Sequence, residues 1–240
     1  MTVDEETRIL DAAFDVIDHV DTLHLTGGGE PFLHPKLVDL IEAAMKYSDR
    51  FDRLMLFTNC TMIPSEKLIE TLTHYREKIL VQISQYGLNV ERERLITESF
   101  QNKSIPCKVV KYYGENQDFG GWVDFGPWEA QNKGEAELKN RFQNCAVTKA
   151  MHGNWRTRDG KVHWCSRSQR GMELGLIPDC PDDYVDLFGG STKEEKQEKF
   201  SRIAQAGHLS ACDRCSGEQG TDDESKRFTA AVQMQPVERG

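Results

Sequence analysis

The stretch TGGGEPFLHPKL, Thr26 to Leu37, follows a short strand expected over Thr22 to Thr26. It leads into a helix that Pro35 opens, with Leu37, Leu40, Ile41, Ala44 and Met45 on one face. Consecutive glycines let a backbone turn sharply and bring bare N–H and C=O groups against a ligand. The loop lacks the spaced glycines of a dinucleotide fold and the Lys-Ser/Thr of a phosphate-gripping loop. Nucleotide binding by this loop alone would call for an acidic residue at the end of the next strand, where Phe57-Thr58-Asn59 stands.

Outward from this loop the pattern alternates. An amphipathic helix is expected over Asp4 to Val20, with Leu10, Ala13, Phe14 and Ile17 on its stripe. Arg53 to Phe57 reads as a parallel strand buried on both faces. Ser65 to Arg76 reads as a helix, Ile79 to Ser84 as a strand, Val90 to Phe100 as a helix and Pro106 to Tyr113 as a strand. Strands alternating with helices over the first ~115 residues imply βαβ crossovers and a parallel sheet. The series begins with a helix although a βα repeat opens on a strand, so a strand and loop are expected upstream of Met1 or the sheet starts unusually.

After Tyr113 comes GENQDFGGWVDFGPW, a Gly/Trp-rich stretch without a period. Asn154–Arg158 and Lys161–Cys165 flank Asp159-Gly160, the pair that favours the type I′ turn of a β-hairpin. A polar loop with Pro178 and Pro181 is expected next, then a charged helix over Lys193 to Ala206. The resulting division is 1–115, a connecting segment 116–140, a cysteine-rich domain 141–216 and a polar tail 217–240.

The chain has 240 residues and a formal charge of −9, with 39 Asp+Glu against 30 Lys+Arg. Such a field repels polyanions, and no basic arm is present, so nucleic acid is not an expected partner. No apolar stretch approaches the ~20 residues of a bilayer span and no signal peptide opens the sequence, so a cytoplasmic protein without membrane association is expected.

Seven cysteines are the second conspicuous feature. An odd number argues against a disulfide framework and turns attention to metal or redox chemistry. Cys145-x14-Gly160-x4-Cys165, then Cys212-x-x-Cys215, offers four sulfurs from a hairpin and a tight knuckle that can converge on one centre. Thiolates select zinc or an iron-sulfur cluster, and the spacing does not choose between them. Seven of the eight charged side chains between Arg141 and Gly171 are cationic: Arg141, Lys149, Arg156, Arg158, Lys161, Arg167 and Arg170, against Asp159. They read either as a solvated hairpin face or as cations that stabilise a thiolate centre and bind an anionic substrate. Cys60 and Cys107 read as small core residues; Cys180, beside Pro181, reads as a loop thiol, a spare ligand or a catalytic group.

Taken together, TGGGEPFLHPKL, Thr58-Asn59 and Ser84 resemble the GGE region and strand ends of the radical S-adenosylmethionine superfamily. The cysteine spacing resembles that superfamily's twitch module, the shorter relative of SPASM, and the two similarities cover nearly the whole chain. The resemblance implies an α/β protein with a partial (βα) TIM-like barrel missing its first strand, then a small cysteine-rich β-hairpin/helix domain. It implies that Cys145, Cys165, Cys212 and Cys215 hold an auxiliary 4Fe-4S cluster. It further implies that Gly28, Gly29 and Glu30 meet the ammonium of S-adenosylmethionine, with Asn59 and Ser84 near its carboxylate or ribose. Thr58, Asn59 and Ser84 read equally as strand-end caps. The parent activity would be radical oxidation or modification of a small molecule or peptide. The superfamily's Cys-x-x-x-Cys-x-x-Cys does not occur in these 240 residues, so the chain by itself is not expected to cleave S-adenosylmethionine. The other reading is a non-catalytic zinc- or cluster-binding scaffold, with a protein partner at the unpaired barrel edge.

Overall fold

Four strands, β1 (Val20–Leu25), β2 (Phe51–Thr58), β3 (Ile79–Gln85) and β4 (Cys107–Lys111), form a parallel sheet in sequence order. The structure, a computed structural model, describes residues 1–26, 28–120, 122–149, 153–217 and 224–230. Register sets Leu23 beside Leu54, Leu54 beside Ile79, Leu56 beside Val81 and Thr58 beside Ile83. Leu54, Leu56, Ile79, Val81 and Ile83 are essentially inaccessible to solvent. The opposite face carries Thr22, His24, Arg53, Met55, Phe57, Leu80, Gln82 and Ser84, of which Thr22, His24 and Arg53 are exposed.

The helices of this part are α1 (Val3–Val16), α2 (Leu37–Met45), α3 (Glu66–His74) and α4 (Val90–Asn102). The buried side chains of α2 to α4 include Leu40, Ile41, Leu68, Leu72, Ile96 and Phe100. Ser65 caps α3 by accepting from the Leu68 amide at 3.2 Å, which satisfies one of the donors a helix start leaves unpaired. Several boundaries differ from expectation by a few residues, two of them around β1 and the loop after it. The first helix ends at Val16 instead of Val20, because Val20 is drawn into β1 opposite Phe51. Pro35 lies ahead of α2, after a 3-10 turn over Pro31–Leu33. Among the described residues the parallel sheet is open, with β1 and β4 at its edges.

Contacts divide the chain into two units. The first holds Met1–Leu10 and Asp18–Phe119, and the second holds Asp11–Ile17 and Gly120–Phe228. The second contains α5 (Glu135–Asn144), α6 (Ala146–Lys149), β5 (Arg156–Arg158), β6 (Lys161–His163), α7 (Ser166–Glu173), β7 (Tyr184–Asp186) and α8 (Lys193–Ala204). An antiparallel sheet runs β5-β6-β7, and Asp159 and Gly160 turn the hairpin with φ of 50° and 79°, as a type I′ turn demands. Where a plain polar loop was expected after the hairpin, the chain forms α7 and β7. The core gathers Phe142, Val147, Val162, Trp164, Val185, Leu187, Ile203 and Leu209, with Ala12 and Ala13 packed against it. Of the expected polar tail, 218–223 and 231–240 lie outside the described residues. Arg227 nevertheless bridges Val123, and the Phe228 amide donates to Trp122 at 2.8 Å.

Candidate metal centre

Three of the four spaced cysteines cap the end of an element, and the fourth lies inside a short 3-10 turn. Cys145 is the C-cap of α5, and its carbonyl accepts from Thr148 and Lys149 to start α6. Cys165 follows β6 and is the N-cap of α7; its Sγ accepts from the Ser168 amide at 3.4 Å. Cys212 lies within the 3-10 turn Ser210–Arg214, and Cys215 directly after it. Cys212 Sγ accepts from the Leu209 amide at 3.5 Å and Cys215 Sγ from the Gly217 amide at 3.3 Å. Backbone donors aimed at sulfur stabilise charge on it, a recurrent feature of metal-bound thiolates.

The four thiols lie close enough to act on one another electrostatically. Burial, with a smaller contribution from the neighbouring Cys145 and Cys215 thiols, pushes the Cys165 and Cys212 thiols up to about 12. Burial also raises Cys215, against which the Gly217 amide and the Arg167 and Arg141 guanidiniums pull down. A bound cationic core would reverse the balance, because thiolate ligation releases the proton as the metal enters. Among the described residues, the group whose three ligand atoms all lie within 4.8 Å of one another is His19, Asp21 and Asp52, an exposed surface set, and not a set of cysteines. Zinc bonds of 2.3 Å place tetrahedral sulfurs about 3.8 Å apart. Wider spacing suits a larger inorganic core. None of the seven cysteines is in a disulfide.

A strap of chain from 122 to 133 is bonded to the Cys-x-x-Cys segment and to Arg167. Arg167 lies on Trp128, its guanidinium carbon 3.5 Å from the ring centroid, and donates to the carbonyls of Gly126, Pro127 and Arg214. Arg141 Nη1 donates to the Cys212 and Cys215 carbonyls and to Gln131 Oε1. The Asp213 carboxylate accepts from the Asn132 and Lys133 amides, and its carbonyl from Gln131. On the opposite side, buried Ser168 pairs with His163 Nδ1 at 3.1 Å, which fixes the start of α7. Burial, reinforced by Lys161, pushes His163 down to about 4, so it is neutral at physiological pH.

Five of the seven cations of the basic cluster are engaged within the unit. Arg141 and Arg167 clamp carbonyls, Arg158 and Arg170 pair with Glu173 at 3.1 and 2.8 Å, and Lys161 stands 3.7 Å from Asp179. The acids they meet lie just beyond the window in which the sequence concentrates cations. The roles of Trp128, Gln131 and Asp213 carry no sequence signal beyond the Gly/Trp-rich composition of their neighbourhood.

In the first unit, Gly28, Gly29 and Glu30 follow β1; Gly27 lies outside the described residues. A Cβ placed on Gly28 or Gly29 would meet nothing within 4 Å, so this backbone borders open space, and Gly29 has a φ of 121°. Glu30 is brought to Asn59: its Oε2 accepts from the Asn59 amide at 2.6 Å and its Oε1 from the Phe32 amide at 3.0 Å. That carboxylate pins the glycine loop to the end of β2. Asn59 Oδ1 accepts from the Thr61 amide and hydroxyl, an Asx turn. Ser84 lies on the sheet face away from Ile83, and its hydroxyl accepts from Gln82 Nε2 at 3.4 Å. Cys60 is fully buried with a φ of 59°, and burial pushes its thiol up to about 12, an inert core thiol. Cys107 is half-buried on edge strand β4, and Cys180 half-buried ahead of the turn at Pro181. No family model, curated protein or solved structure matches the chain.

Proposed function

We propose that Cys145, Cys165, Cys212 and Cys215 hold a 4Fe-4S cluster, and that the chain is a radical S-adenosylmethionine-type protein in which this cluster is auxiliary. The single observation that carries the reading is the mutual electrostatic reach of the four thiols, three of them already accepting amide hydrogen bonds. When bound, such a cluster takes up or gives one electron. The protein's own part is to supply thiolates, direct amides at the sulfurs and shield the centre with the 122–133 strap. The glycine loop, open in front of Gly28 and Gly29, is where S-adenosylmethionine would lie, with Glu30 holding the loop and Asn59 and Ser84 lining its surroundings. The four-stranded sheet is read as part of a (βα) barrel, and the β1 edge as the place where a protein partner would add a strand. The substrate class is a small molecule or peptide, and the compartment the reducing cytoplasm.

Anaerobic reconstitution with iron and sulfide tests the metal. The expected product is brown, with about four irons and four sulfides per chain, and serine at any of the four positions lowers its iron content. A colourless protein with one zinc overturns the cluster. That these 240 residues hold no Cys-x-x-x-Cys-x-x-Cys favours a second reading, a non-catalytic zinc- or cluster-binding scaffold or partner protein. Accordingly, no 5′-deoxyadenosine is expected from the isolated chain under strong reduction, and its appearance overturns that expectation.

No helix among the described residues is long and apolar enough to cross a membrane.

A further inference from the structure

One polar group beside the Cys-x-x-Cys has no partner among the described residues. Gln131 Nε2 is buried and makes no hydrogen bond among the described residues. The other half of the same amide is fixed: Oε1 accepts from Arg141 Nη1 at 3.2 Å, and a guanidinium can only donate. The amide therefore cannot turn over to relieve its nitrogen. Arg141 Nη1 also donates to the carbonyls of Cys212 and Cys215, and the Gln131 amide N–H donates to the Asp213 carbonyl at 3.0 Å. Both ends of Gln131 are thus tied to the knuckle that carries two of the sulfurs. An unsatisfied buried donor costs about 1–3 kcal/mol, so such groups persist where something absent from the chain accepts from them.

We infer that Gln131 is a hydrogen-bond donor to the inorganic centre, its Nε2 giving an N–H to a sulfur of the bound cluster and thereby setting the cluster's reduction potential. The inference rests on the cluster reading above and deepens it. An N–H directed at sulfur stabilises the more negative, reduced state, so Gln131 raises the potential. It also explains why Arg141 is shared between the knuckle carbonyls and this amide: the guanidinium holds the donor in its orientation. Gln131 acts through the cluster and is a positioning and tuning residue.

The test uses the full chain, reconstituted anaerobically with iron and sulfide, in wild type and in Gln131→Met, which keeps the side-chain length and removes the N–H. Iron and sulfide content is read first. Wild type without a cluster overturns both the cluster reading and this inference. With clusters present in both proteins, potentiometric titration followed by electron paramagnetic resonance is expected to show Gln131→Met at a lower potential. The expected change is about fivefold in the reduction equilibrium, or about 40 mV for one electron. Equal potentials overturn the inference and leave the cluster reading intact, as they would if a water molecule satisfied Nε2. Should Gln131→Met fail to fold, wild type labelled with 15N in its glutamine side chains provides the second measurement. A nitrogen coupling to the reduced cluster is expected, and its absence sinks the inference.

Discussion

Glu6 is a buried acid in the first unit. It is 2% exposed on the face of α1 that also presents Leu10, and neither carboxylate oxygen has a partner among the described residues. Burial pushes its carboxyl from 4.5 up to about 8. The folded state therefore holds a proton that the unfolded state releases between those values, and stability falls as pH rises through that window. The slope is about 1.4 kcal/mol per pH unit where the difference is complete. Glu6→Gln is expected to remove this dependence and to stabilise the protein at pH 8.5 while changing little at pH 4.5, measured by urea unfolding at both. Equal pH dependence in the two proteins would show that Glu6 finds a partner in solution. A second residue, Gly160, turns the hairpin at a φ of 79°, and a Cβ there would come within 2.3 Å of the Phe188 ring. Gly160→Ala is expected to cost roughly 1–3 kcal/mol, seen as a lower melting temperature. Gln131, by contrast, is one polar residue in an aperiodic loop, and no pattern in the sequence distinguishes it from its neighbours.

At the scale of elements, the βα alternation is legible because its signals are local and redundant. Arg53 to Phe57 and Ile79 to Ser84 are apolar runs of strand length, and Ser65 announces α3 three residues before the amide it caps. The hairpin is legible for the same reason, from Asp159-Gly160 alone. Helix α7, SRSQRGME, is not: its buried positions are Ser168 and Gly171, small residues that leave no apolar stripe. Gly171 is forced by packing, since a Cβ there would sit 2.4 Å from Ile177. Strand β7 is three residues long, too short for a period to show. The four candidate ligands stand out by their spacing, whereas the strap bonded to the Cys-x-x-Cys depends on long-range bonds to carbonyls, which any residue supplies. Arg167→Met is expected to loosen that strap: amide exchange at Gly126 and Ser216 should accelerate while β5–β7 keep their protection. Unchanged exchange at those amides would mean that the Trp128 stack and its arginine contribute nothing to closure.

For the molecule as a whole, each unit has its own buried apolar side chains and should respond differently to loss of the proposed cluster. Thiolate ligation couples metal binding to folding. In protein reconstituted with the proposed cluster, removing iron with a chelator under anaerobic conditions is therefore expected to unfold the second unit, with fast hydrogen exchange over β5–β7, while β1–β4 remain protected. Uniform loss of protection across both would show that the parallel sheet depends on the centre as well.

The core of the second unit draws Ala12 and Ala13 from the beginning of the chain and Leu209 from near its end, with the Gln197 side chain donating to the Val16 carbonyl at 3.0 Å. During synthesis the βα units can dock one after another as each leaves the ribosome, because every strand pairs with the one made just before it. Ala12 and Ala13 instead meet a core that is completed about two hundred residues later in the sequence, so until Leu209 has been translated that part of α1 keeps its apolar side open to solvent, a surface suited to a chaperone that holds nascent polypeptides.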